Sequence, residues 1–69
     1  MNWLDIDEIA EGLIEAHPEI DPLSVRFTDL HNWIAELPDW DDDIHASNEA
    51  KLEAVQMEWY TLWKEKHPA

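Results

Sequence analysis

The sequence predicts a mainly all-α, compact domain of three helices, and three observations lead there. Apolar residues recur at helical spacing in three separate segments, and proline follows the first two of them. The β-prone stretch Val25-Arg26-Phe27 is too short for more than one extended segment. At 69 residues the chain has room for one core, so residues 1–69 are expected to form one domain.

Residues 1–4 read as a lead-in, with Trp3 and Leu4 as hydrophobic anchors. Asp5 and Glu8 have capping-box spacing, with Asp5 in the N-cap role. Ile6, Ile9, Ala10, Leu13 and Ile14 then form the apolar stripe of a first helix over 5–16. Gly12 costs that helix about 1 kcal/mol relative to alanine. His17-Pro18 ends it, because the residue before proline is pushed out of the helical region.

Glu19 to Ser24 is a connector in which Pro22 suits the first position of a short helical turn. Thr28 is the expected N-cap of the second helix, with Asp29 in its first turn against the helix dipole. Leu30, Trp33, Ile34 and Leu37 make its stripe, and Pro38 closes it. Asp39 to Ala46 is an acidic loop, and Ser47 or Asn48 caps the third helix with Glu49 in its first turn. Leu52, Val55, Trp59 and Leu62 form the third stripe, with Ala54, Met57, Tyr60 and Trp63 alongside. Lys64 and Lys66 complement the dipole in the last turn, and His67-Pro68-Ala69 reads as a frayed tail. The two later helices could adopt a helix-turn-helix arrangement, a geometric possibility that says nothing of DNA.

The sequence has no cysteine, so disulfides and thiolate metal sites are excluded and the core must come from apolar packing. Trp3, Trp33, Trp59 and Trp63 fall on or near the stripes and are expected in that core. No apolar run approaches the roughly 18 residues of a membrane span. Asp5, Asp7 and Glu8, without a basic cluster, are unlike a targeting peptide, so the expected location is the cytoplasm. Seventeen acids against four bases give a net charge of −13. Such a field repels nucleic acid and anionic membranes, attracts cations and basic protein surfaces, and strains the compact state by self-repulsion.

Asp39-Trp40-Asp41-Asp42-Asp43 resembles the start of an EF-hand loop, but Ile44 stands where glycine is required and Ala50 where glutamate is. What remains is a carboxylate cluster: Asp41, Asp42 and Asp43, with Asp29 and Glu49 in helix first turns. These hard oxygen ligands suit Ca²⁺, Mg²⁺, Mn²⁺ or Fe²⁺ without discriminating among them. A solvated loop kept soluble by its charge is the equal alternative. Glu8, Glu11 and Glu15 form one acidic stripe opposite the apolar face of the first helix. Asp29 with Glu36, and Glu49 with Glu53, repeat the pattern on the other two helices. The candidate partner-binding set is therefore Glu8, Glu11, Glu15, Asp29, Glu36, Trp40, Asp41, Asp42 and Asp43. Trp40 either pins the loop to the core or stands out as a contact anchor. His17, His31, His45 and His67 are dispersed, in no zinc-binding spacing. Neither Ser24 nor Ser47 lies in a nucleophile motif, and one glycine makes no phosphate cradle, so the chain is not expected to be an enzyme.

Arg26-Phe27-Thr28-Asp29-Leu30-His31 with Trp33, and Asp41-Asp42-Asp43 leading into Ala46-Ser47-Asn48-Glu49 and Leu52-Glu53-Ala54, carry a resemblance. Together with Trp3 and Asp21-Pro22 they resemble the small acidic IscX (YfhJ) proteins of bacterial iron–sulfur cluster assembly. The resemblance implies a winged-helix-like fold without DNA binding, and an acidic surface that contacts the pathway's cysteine desulfurase. It also implies weak Fe²⁺ binding, competition with the frataxin homologue, and a role as iron donor or regulator. Ile44-His45 departs from the proline that commonly follows the acidic run, and Trp59 to Ala69 is individual to this chain. The expected function is an acidic adaptor, monomeric when free. The alternatives are a nucleic-acid mimic occupying another protein's basic surface, or a divalent-cation buffer.

Overall fold

Helix α1 spans Ile6–Ala16, α2 spans Phe27–Ala35 and α3 spans Glu49–Lys66, with a 3-10 turn at Pro22–Ser24. The structure is a computed structural model and describes residues 1–68; no strand occurs among them. The all-α expectation therefore holds, and the winged-helix likeness lacks strands for a wing among the described residues. Val25 and Arg26 are extended, but Phe27 already belongs to α2.

The α1 stripe behaves as its periodicity requires, burying Ile9, Ala10, Leu13 and Ile14. Asp5 is the N-cap residue, but its carboxylate does not cap the helix. Asp5 Oδ2 instead accepts from the Asn2 N–H at 2.9 Å, tightening the lead-in turn ahead of the helix. At the far end the His17 N–H donates to Leu13 O at 2.8 Å, and Pro18 stops propagation.

Pro22 does open a helical turn, and Asp21 Oδ1 accepts from the Leu23 N–H at 3.0 Å to cap it. Gln56 Nε2 donates to Pro22 O at 2.9 Å, stitching this turn to α3. Helix α2 starts earlier than Thr28 predicts, with Arg26 as a cap that makes no side-chain bond. The Leu30 N–H donates to Arg26 O at 2.9 Å, closing the first turn. Val25 and Phe27 both pack against the core, and that tertiary contact overrides the local capping preference of Thr28. Leu37 lies beyond the helix yet stays buried, its N–H donating to Ile34 O at 3.1 Å. Asn48 settles the α3 start, Oδ1 accepting from the Lys51 N–H at 2.9 Å.

Eleven apolar residues form the core, with Trp59 fully buried among them and α1 packed chiefly on α3. Trp3 and Trp59 are core residues as predicted, whereas Trp33 and Trp63 are half-buried at its margin. The tail also departs from expectation at His67. Its ring stacks on Trp63 at 4.7 Å, and Nε2 lies 2.9 Å from Pro18 O, joining the end of α3 to the end of α1. Pro68 is exposed, and Ala69 lies outside the described residues. None of the described residues is long and apolar enough, as a helix, to cross a membrane.

Removing the Asn48 cap leaves an orphan N–H at the α3 start. Asn48→Ala is expected to lower stability by about 1 kcal/mol, read as a lower urea midpoint at unchanged slope.

Candidate functional site

Two acidic features flank the core. The first is the loop from Asp39 to Ala46, held down by side chains from elsewhere. Trp3 Nε1 donates to Asp43 O at 2.9 Å, and His31 Nε2 donates to Ile44 O at 2.7 Å. The Asp41 N–H donates to Met1 O at 3.0 Å, while the Met1 amino group donates to Asp39 O at 2.8 Å. Trp40 is half-buried and meets Trp3 edge-on at 4.8 Å between ring centres, so it pins the loop.

The loop carboxylates are turned toward nearby donors. Asp41 Oδ1 takes the Met1 amino group at 3.2 Å. Asp42 Oδ2 accepts from the Trp3 N–H at 3.3 Å, and its Oδ1 from the Asp43 N–H at 2.7 Å. Asp43 Oδ1 accepts from the His45 N–H at 2.9 Å. Asp29 and Glu49 are exposed in the first turns of their own helices. Among the described residues no three His, Asp or Glu side chains converge on a metal position. A resident metal centre therefore does not fit this donor set.

The second feature is a groove of about 790 Å³ along α1, closed on the other side by the end of α2 and the segment to Asp39. Glu8, Glu11 and Glu15 from α1 line it together with Glu36 and Asp39, and Met1, Gly12, Leu37 and Trp33 share the lining. Gly12 shares the acidic face at i+4 from Glu8. A Cβ there would stand 3.0 Å from Leu37 Cδ2, so glycine's presence lets Leu37 lie against the helix. Thus the residue that weakens α1 also shapes the groove lining. His17 stacks on Trp33 at 4.0 Å at the same site.

The structure thus gathers four predicted partner residues, Glu8, Glu11, Glu15 and Glu36, on one groove. It sets Asp41, Asp42 and Asp43 on the loop and Asp29 apart on α2. Reading the sequence missed the His17–Trp33 stack and the loop-holding roles of Trp3 and His31, which no local periodicity announces. Gly12 among three glutamates was the available signal for the groove.

Arg26, Lys51, Lys64 and Lys66 are the side-chain bases, and none lines the groove. Among the described residues the ion pair present is Met1 amino group to Asp41 at 3.2 Å. Most carboxylates thus stand exposed and unneutralised. Fold and site define a small acidic helical protein that displays carboxylates on an ordered frame. Residues 1–64 match the family described as iron-sulphur cluster assembly. The chain is also 48% identical over 59 residues to an uncharacterized protein of Pseudomonas aeruginosa, covering 86% of this chain and 89% of that one. It belongs to the IscX (YfhJ) family of iron–sulfur cluster assembly proteins.

Crowded like charges should make stability rise with ionic strength. Raising NaCl from low to near-molar concentration is expected to raise the melting temperature, by about 4–8 °C for each kcal/mol of repulsion screened. Differential scanning calorimetry reads the outcome, and a flat response would mean that the charges are not crowded.

Proposed function

We propose that this protein is a non-enzymatic acidic adaptor of iron–sulfur cluster assembly that docks on a basic surface of a cysteine desulfurase. Its membership of the assembly family supplies the process. The observation that carries the docking reading is the acidic groove, where two chain segments bring five carboxylates together without an intervening lysine or arginine. A net charge of −13 adds long-range attraction to a positive partner.

The absence of cysteine from the sequence rules out a thiolate that could accept sulfur or ligate a cluster, which favours an accessory part over a scaffold. Fe²⁺ is cargo in this reading. It associates loosely with exposed carboxylates such as Asp29, Asp41, Asp42, Asp43 and Glu49, without a fixed coordination shell. Adaptor and iron donor are then compatible roles, docking assigned to the groove and iron to the loop and helix-start carboxylates.

Charge-steered docking weakens as salt screens it. The dissociation constant for the purified desulfurase is expected to rise about tenfold or more between 50 and 500 mM NaCl, mostly through a slower association rate. Affinity that ignores salt would overturn the mechanism. For the metal, calorimetry is expected to show weak, unselective uptake of Fe²⁺, Mg²⁺ and Ca²⁺; sub-micromolar binding of one ion would instead make the protein a cation buffer.

A further inference from the structure

We propose that His31 and His45 form an exchangeable two-imidazole site for a divalent cation of the zinc class. The site goes beyond the adaptor reading and does not depend on it. His31 belongs to α2 and His45 to the acidic loop, and the fold brings their ring centres to 5.6 Å. His17 and His67 stack on Trp33 and Trp63 instead.

Hydrogen bonding leaves a ligand nitrogen free. Ile44 O can only accept, so His31 Nε2, 2.7 Å away, carries the proton. In the neutral ring Nδ1 then holds the lone pair. An N–H donated to a backbone carbonyl is the usual support of a histidine ligand, because it fixes the tautomer and the ring orientation. The same bond anchors the residue before His45. On the other side the His45 N–H donates to Asp43 Oδ1 at 2.9 Å, and Trp3 Nε1 donates to Asp43 O at 2.9 Å. The loop thus presents His45 beside His31 on backbone tied to the core.

The separation suits a shared ion. Zinc binds imidazole nitrogen at about 2.0–2.1 Å, which sets ring centres about 5.2 Å apart at a tetrahedral angle. A small turn of the exposed His45 closes the difference from 5.6 Å. Asp41, Asp42 and Asp43 stand exposed on the same loop and attract cations toward it. With no cysteine in the chain, imidazole is its best donor for zinc, nickel or copper, whereas Mg²⁺ and Ca²⁺ prefer carboxylate and water. Two protein donors leave the other positions to water. That fits the absence of any three-side-chain metal cluster among the described residues, and it makes the ion exchangeable.

The test titrates the full chain with ZnCl₂ alone, followed by NMR and calorimetry, and repeats it in a large excess of Mg²⁺. Ring signals of His31 and His45 are expected to shift most, with the Trp3 indole N–H following, and Mg²⁺ is expected to leave these shifts in place. His45→Ala removes an exposed side chain, and His67→Ala removes a histidine outside the site. Circular dichroism first confirms that both variants fold. His45→Ala is expected to weaken zinc binding about tenfold or more, and His67→Ala less than about threefold. Equal losses from the two variants would overturn the site. So would shifts confined to the loop aspartates, or zinc displaced by Mg²⁺, since either outcome assigns the ion to carboxylates.

Discussion

Helix α1 has to serve two opposed demands, and the packing of one of its faces on α3 makes that possible. Ile9, Ala10, Leu13 and Ile14 go into the core that also holds Val55 and Trp59. The opposite face is left to Glu8, Glu11 and Glu15, whose mutual repulsion works against the helix. A core of eleven residues must hold that arrangement together against a net charge of −13. Large aromatic side chains suit the task because each buries a wide area in a chain too short for many core positions.

The acidic loop meets the same difficulty by another route. It has no helix or strand hydrogen-bond ladder to stiffen it, so its backbone is fixed by donors from outside, chiefly Trp3 Nε1 on Asp43 O and His31 Nε2 on Ile44 O. Its aspartates satisfy neighbouring N–H groups in turn, which is the usual way in which short acidic side chains shape turns. Carboxylates positioned this way give a surface of defined form without a buried charge, and indeed no charged residue is buried among those described.

Much of this was legible in the sequence where a local rule suffices. The α1 stripe, the Pro22 turn and the Asn48 cap each follow from residues within one or two turns of one another. Where neighbouring candidates competed, distant packing decided. Phe27 entered α2 because it and Val25 meet the core, and Asp5 turned to Asn2 rather than to its helix. His67 was illegible for the same reason, since its partner carbonyl at Pro18 is 49 residues away in the chain. For the site, the carboxylate stripe on α1 could be read directly. The convergence of Glu36 and Asp39 on it could not, because no pattern along the chain specifies how the end of α2 lies across α1.

The arrangement along α3 has an electrical consequence. Its 18 residues run about 27 Å at 1.5 Å each, with Asp39, Asp41, Asp42 and Asp43 in the loop leading into its start and Lys64 and Lys66 at its finish. Net negative charge is therefore unevenly distributed from end to end. In the field of a positively charged body an uneven charge distribution of this kind produces a torque as well as a pull.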